Sequence, residues 1–128
     1  MKLPNGVIAL DTKLDINKYY SMADAIILTS IFGEGFSNAL VEGMLNKLVP
    51  LATDVGDSKE IIKDIGFLLE VNNLKSITEN MLKLAKLEKN IIKTMGRKAM
   101  VKAKENYNSE KMIRSYNAIY NDIKKCVV

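Results

Sequence analysis

Short apolar runs alternate with helix-period segments through residues 7–71, and this alternation restricts the chain more than any other feature. Val7–Leu10, Ala25–Thr29, Leu48–Ala52 and Gly66–Val71 read as four short strands, because aliphatic and β-branched residues in runs of four to six suit a strand buried on both faces. Pro50 falls near the start of its run, where a missing N–H is tolerated. Between the runs lie helical patterns. Asp15 can cap a helix through Met22 with Ile16, Tyr19 and Tyr20 on a common side, and Phe36, Leu40, Val41, Met44 and Leu45 recur at helical spacing. Asp57 or Ser58 opens a third helix through Lys63, a cap being the more natural use of either residue than contact with a ligand. Strands and helices in strict alternation predict a parallel sheet with right-handed crossovers. From Leu74 onward the pattern is helical, over about 74–89, 90–105 and 109–125, with breaks at Asn72-Asn73 and Asn106-Tyr107-Asn108. The last helix carries Met112, Ile113, Tyr116, Ile119, Tyr120 and Ile123 on one side, a stripe expected to pack into the core. Without repeats or a low-complexity linker, residues 1–128 are expected to form one three-layer α/β domain.

Composition removes several kinds of chemistry. The chain contains no His, which excludes His-based triads and His metal sites, and neither an Asp-x-Asp pair, a cysteine cluster nor a P-loop occurs. No protein-held metal is expected. Cys126 is the single cysteine, so no internal disulfide can form; with no signal-peptide pattern and no apolar run near the ~20 residues of a membrane span, the expected setting is cytoplasmic. Cys126 has no base beside it and is read as a bystander. The net charge is +4, with lysines concentrated in the second half. They read as a solvated helix face rather than a nucleic-acid surface, because acidic residues are interleaved and no aromatic ladder accompanies them.

Candidate functional residues gather where strands end. In open parallel sheets, ligands bind outside the carboxyl ends of the strands, beside helix N-termini. Glu34 lies in such a loop, between the second strand run and the Phe36–Leu45 helix, and Glu42 follows after seven intervening residues, about two turns into that helix. A helix start offers free N–H groups and a positive dipole end, which suit phosphate. Ionised carboxylates only accept hydrogen bonds, which suits paired hydroxyls of a sugar or ribose. Together these describe a nucleotide-sugar site. Backbone from Gly35 through Phe36, Ser37, Asn38 and Ala39 to Leu40 would supply the N–H groups, and a second loop with Thr53, Gly56 and Asp57 follows the next strand at the same sheet edge. Thr53 can equally just end its strand.

These residues carry a resemblance. Ala23-Asp24, Ser30, Glu34-Gly35-Phe36, Asn38-Ala39-Leu40, Glu42, Met44, Pro50, Ala52-Thr53-Asp54-Val55-Gly56 and Glu60-Ile61-Ile62 resemble the donor half of GT-B glycosyltransferases. More narrowly they are similar to the retaining family 4, often called glycosyl transferases group 1, whose mark is an E-x7-E motif, met here by Glu34 and Glu42. The resemblance implies a Rossmann-like parallel sheet with a helical C-terminal portion. It implies that Glu34 contacts hydroxyls of the donor sugar near the reacting centre, that Glu42 holds the ribose, and that the helix-start N–H groups meet the diphosphate. The implied reaction moves a hexosyl group from a nucleotide diphosphate, with retention and without metal, to a glycan or lipid-linked acceptor, in full-length relatives often at the inner face of the cytoplasmic membrane. Nucleic acid is not an expected partner.

Departures from the family pattern shape the expectation. Set against the family pattern, this sequence is expected to lack the acceptor-binding N-terminal domain, together with a strand, loop and helix ahead of Val7 that carry a diphosphate-neutralising Arg and Lys in the family. The chain is therefore expected to be most of a donor-binding domain, not competent for transfer alone; the alternative is a non-catalytic nucleotide-binding or interaction module that pairs with a separate acceptor-domain subunit. Gly43 stands where the family usually has Ala, at a cost in helix propensity of up to ~1 kcal/mol.

Overall fold

The structure, a computed structural model, describes residues 4–126. Three strands, β1 (Ala25–Leu28), β2 (Val49–Thr53) and β3 (Phe67–Leu69), form one parallel sheet in the order β1-β2-β3. Ala25 pairs with Val49 and Leu28 with Ala52 on one side of the central strand; Leu51 pairs with Phe67 and Thr53 with Leu69 on the other. Helices α1 (Ile16–Met22), α2 (Asn38–Leu45) and α3 (Ser58–Ile62) alternate with the strands, and α4 (Leu74–Ala85), α5 (Lys89–Asn106) and α6 (Ser109–Cys126) follow them. The parallel α/β expectation holds. Pro50 is the second residue of β2, and the ladder to β3 begins one residue later at Leu51, so the missing donor falls where β2 has one neighbour rather than two.

The first expected strand is corrected. Val7–Leu10 is not extended into any ladder, and Val7, Ile8 and Leu10 are exposed. A strand is a pairing, not a property of its own residues: an apolar tetrapeptide without a neighbour to accept its N–H groups leaves them to water.

Alternating side chains of β2 feed two cores. Val49 and Leu51 point toward Leu69 and Leu84, with Ala25, Phe67, Ile77, Leu87, Ile92 and Met95 packed around them. Ala52 points the other way, into a cluster of Leu40, Val41, Met44, Ile61, Ile62, Ile65, Ala99 and Ala103. All five β2 residues are buried, as expected of a central parallel strand covered on both faces. Helix α5 contributes to both cores, Ile92 and Met95 to one and Ala99 and Ala103 to the other. Between these pairs Gly96 rests on the α2–β2 turn; a Cβ there would lie 2.0 Å from the Lys47 carbonyl oxygen.

Gly43 also has a packing reason that sequence-level propensity hides. A Cβ on it would lie 2.7 Å from Ile26 Cγ2, so the glycine lets α2 lie close against β1.

The expectation for α6 is overturned. Ser109–Lys125 are all exposed, and the six apolar side chains of its stripe are each more than half accessible. The amphipathic pattern is real, but among the described residues nothing covers its apolar side. Near its start it is tied by hydrogen bonds around the turn from α5, where Asn108 Oδ1 accepts from the Lys111 N–H at 2.8 Å.

Candidate functional site

The loop after β1 and the loop after β2 meet at one edge of the sheet. Thr53, the last residue of β2 and 2% exposed, donates its hydroxyl to the Ser30 carbonyl at 2.6 Å. Ser30 in turn donates its own hydroxyl to Glu34 Oε1 at 2.9 Å. A buried strand end therefore holds the first loop, and that loop orients the half-buried Glu34 carboxylate. The second loop closes from the other side. The Asp57 N–H donates to the Gly35 carbonyl at 3.1 Å, and Gly56 sits so close that a Cβ would lie 2.4 Å from the Glu34 carbonyl oxygen and 2.5 Å from that of Gly35. Gly56 also has φ +57°, in the left-handed region. Thr53, Gly56 and Asp57 thus fix the shape of the Glu34 loop. Asp57 occupies the N-cap position of α3, but its side chain makes no cap bond.

Helix α2 starts immediately after this loop. Ser37 is its N-cap, buried, and its hydroxyl accepts from the Leu40 N–H at 3.4 Å. The Leu40 N–H, expected among the free donors, is therefore engaged, and its side chain is fully buried. Asn38 and Ala39 are exposed, and their N–H groups have no acceptor among the described residues. These two donors, at the positive end of the helix dipole, are what the helix offers to an anion.

Glu42 stands apart from the Glu34 loop, exposed on α2 about one turn in, roughly 6 Å along the axis from Asn38. Two carboxylates at the two ends of an exposed helix start can address two groups of one elongated ligand. Glu42 has a neighbour that spacing does not reveal: Tyr20 of α1, whose phenol is pushed above its ordinary value first by burial and then by the Glu42 charge. Phe36 likewise has an unforeseen partner. Tyr107, in the α5–α6 turn, meets its ring edge-on with centroids 5.2 Å apart. Burial, then the Glu60 and Asp57 charges, push the Tyr107 phenol up. Tyr20 lies in an amphipathic helical pattern and Tyr107 in a break between two helices, and neither position identifies the carboxylates nearby.

A cleft of about 510 Å³ adjoins the α2 start, lined by Phe36, Asn38, Tyr107, Asn108 and Lys111 among others. Its polar groups mainly brace the turn: Lys111 Nζ donates to Asn106 Oδ1 at 2.8 Å and Asn108 Nδ2 to the Lys104 carbonyl at 2.7 Å. Among the described residues, no group of three or more metal-ligating side chains converges, and no helix is long and apolar enough to cross a membrane.

The Thr53 link yields a prediction. Thr53→Val keeps the shape and strand propensity but deletes the buried donor, so the protein should lose about 1–2 kcal/mol, read as a lower urea midpoint. A midpoint equal to the parent's would show that the hydroxyl does not anchor the Ser30 loop.

The chain is a mixed α/β unit with a three-stranded parallel sheet, and the solved structures it resembles are GT-B glycosyltransferases. Residues 2–86 match the family model described as glycosyl transferases group 1, and the chain belongs to that family. It is 28% identical over 125 residues to N-acetyl-alpha-D-glucosaminyl L-malate synthase from Bacillus anthracis, covering 96% of this chain and 32% of that protein. It superposes with a TM-score of 0.84 and 27% identity on a glycosyltransferase from Rickettsia africae ESF-5, covering 94% of this chain and 33% of the other. Sucrose-phosphate synthase from Thermosynechococcus elongatus shares the fold, with a TM-score of 0.74 at 18% identity over 87% of this chain and 28% of its own. The chain spans about a third of the length of these relatives.

Proposed function

We propose that this chain is the donor-binding part of a retaining glycosyltransferase, the part that holds a nucleotide-diphosphate sugar. The observation that carries the reading is the pinned pair of loops beside an open helix start: Glu34 held by Ser30, with the Asn38 and Ala39 N–H groups unengaged next to it. In this reading the two N–H groups take the diphosphate, Glu34 takes sugar hydroxyls near the reacting carbon, and Glu42 takes the ribose hydroxyls. Gly35 and Phe36 form the approach between them. No metal enters the proposal; backbone donors supply the charge complement on this side. Transfer of the hexosyl group to a glycan or lipid-linked acceptor needs a second surface that presses the acceptor against the donor and excludes water. In the longer relatives there is chain enough for such a surface, and the complete reaction is assigned to a protein of that length rather than to these residues alone.

A non-catalytic reading, in which the chain binds nucleotide or a partner without transferring sugar, draws support from one observation, the uncovered apolar side of α6.

An NMR titration separates them. UDP, GDP and ADP are added with their sugar conjugates, N-acetylglucosamine conjugates first because of the Bacillus anthracis relative. Saturable shifts confined to residues 30–42 and 53–58 are expected. Glu42→Ala, an exposed change that leaves the fold alone, should weaken binding by roughly tenfold or more. Shifts absent at ~10 mM nucleotide, or unaffected by Glu42→Ala, would remove the donor-site assignment.

A further inference from the structure

Helices α1 and α2 lie side by side in a register that sets Tyr20 against Glu42. Asn46, the C-cap of α2, donates its Nδ2 to Asn17 Oδ1 of α1 at 3.3 Å and to the Glu42 carbonyl at 2.9 Å. Tyr20 follows Asn17 by three residues, and Glu42 precedes Asn46 by four. Residues at those spacings share one face of a helix, a turn apart. The two helices therefore meet antiparallel, Asn17 by Asn46 and Tyr20 by Glu42. At that place the Tyr20 phenol is within reach of the Glu42 carboxylate as a hydrogen-bond donor.

What the contact does follows from what Glu42 otherwise lacks. Glu42 is exposed, and among the described residues no lysine or arginine pairs with its carboxylate. An exposed glutamate turns freely about its side-chain bonds, and a ligand that needs one orientation bears the cost of stopping it. A neutral donor stops it in advance and leaves the negative charge in place. A phenol takes up one of about four lone-pair sites on the carboxylate, so acceptor capacity remains for two neighbouring hydroxyls. Tyr20 suits the task, since it is half-buried and its ring turns about only two side-chain bonds.

We propose that Tyr20 is a positioning residue for diol recognition: it holds the Glu42 carboxylate in the orientation that accepts both ribose hydroxyls, so that the site prefers ribose to a sugar without the hydroxyl pair. The role rests on the donor-site reading above, in which Glu42 takes the ribose, and adds to it the group that fixes Glu42.

The test pairs a variant with a ligand that lacks the diol. Tyr20→Phe keeps the ring and deletes the hydroxyl. Parent and variant are titrated calorimetrically with UDP, GDP and ADP and, for the base the parent binds most tightly, with the 2′,3′-dideoxynucleoside diphosphate. Tyr20→Phe is expected to weaken ribonucleotide binding by about three- to tenfold and to leave the dideoxy compound within about twofold. A merely structural loss would weaken both alike. In a Glu42→Ala background the same change should cost nothing further, because no carboxylate is left to hold. Unchanged ribonucleotide affinity, equal losses for both ligands, or an undiminished effect in the Glu42→Ala background would each overturn the positioning role and leave the donor site standing. A parent that binds none of the nucleotides at ~10 mM removes the donor-site reading and this role with it. The contact itself is read in the ligand-free chain. Burial, then the Glu42 charge and hydrogen bond, hold the Tyr20 phenol above its ordinary value. Glu42→Gln should therefore bring it down in a pH titration followed by NMR of labelled tyrosine. A phenol that does not move would show the two side chains apart and overturn the proposal even where ribonucleotide binds.

Discussion

Gly96→Ala is expected to destabilise the protein by about 2–3 kcal/mol, although alanine is the better helix former by about 1 kcal/mol. The new methyl would sit 2.0 Å from the carbonyl oxygen of Lys47, a backbone atom. Backbone yields poorly here, because Lys47 itself has φ +65° and its N–H donates to the Met44 carbonyl at 2.9 Å, closing the end of α2. Relief would require α5 to lift, which would pull Ala99 and Ala103, 0% and 1% exposed, away from their cluster. Gly43→Ala is the control. The three atoms nearest its methyl all belong to the Ile26 side chain, at 2.7, 2.8 and 3.1 Å, so relief requires a β-branched side chain to repack rather than backbone to move. Its net change should stay within about 1 kcal/mol, the propensity gain offsetting the repacking. Urea denaturation of both variants decides the matter: a Gly96→Ala midpoint at or above that of Gly43→Ala would refute the close approach of α5 to the α2–β2 turn.

Gly56→Ala should damage the candidate site more than any other single methyl. Two effects add. An alanine in the left-handed region costs about 1–2 kcal/mol, and the methyl would overlap the carbonyl oxygens of Glu34 and Gly35 at 2.4 and 2.5 Å. The second loop must then back away from the first, breaking the Asp57 N–H bond to Gly35. The expected result is a loss of about 2–4 kcal/mol in stability and a loss of nucleotide affinity of tenfold or more, with Glu34 and Glu42 both still present. Calorimetric titration with the nucleotide that the parent binds, run well below the variant's melting temperature, separates the two losses. Unchanged affinity would mean that the Glu34 loop keeps its shape without the second loop against it.

Much of this architecture was legible because the relevant information is local. The runs at Ala25, Leu48 and Gly66 became β1, β2 and β3, and the helical spacings at Phe36 and Leu74 became α2 and α4, since periodicity reports which face of an element is apolar. What periodicity cannot report is what stands opposite. Among the described residues, Val7–Leu10 has the composition of a strand and no strand beside it, and the α6 stripe has the composition of a core face and no cover. The site divides along the same line. Glu34 and Glu42 follow from their place in and after a strand-end loop. The links that hold the loop run between residues far apart in sequence, Thr53 to Ser30 and Asp57 to Gly35, and no local pattern signals them. Tyr20 beside Glu42 and Tyr107 against Phe36 are hidden for the same reason. Gly43 shows the converse error: judged by helix propensity alone it is a defect, and judged by its distance to Ile26 it is a fit.

A sheet of three short strands is a thin partition, and two cores separated by one could open independently. Helix α5 prevents that. Ile92 and Met95 belong to one core, Ala99 and Ala103 to the other, and both pairs lie on the same rigid rod, seated at Gly96 on the turn that feeds the central strand. Neither half can melt without dislodging the helix that completes the other. These residues are therefore expected to unfold as one cooperative unit, in which damage far from the strand-end loops is still felt by them.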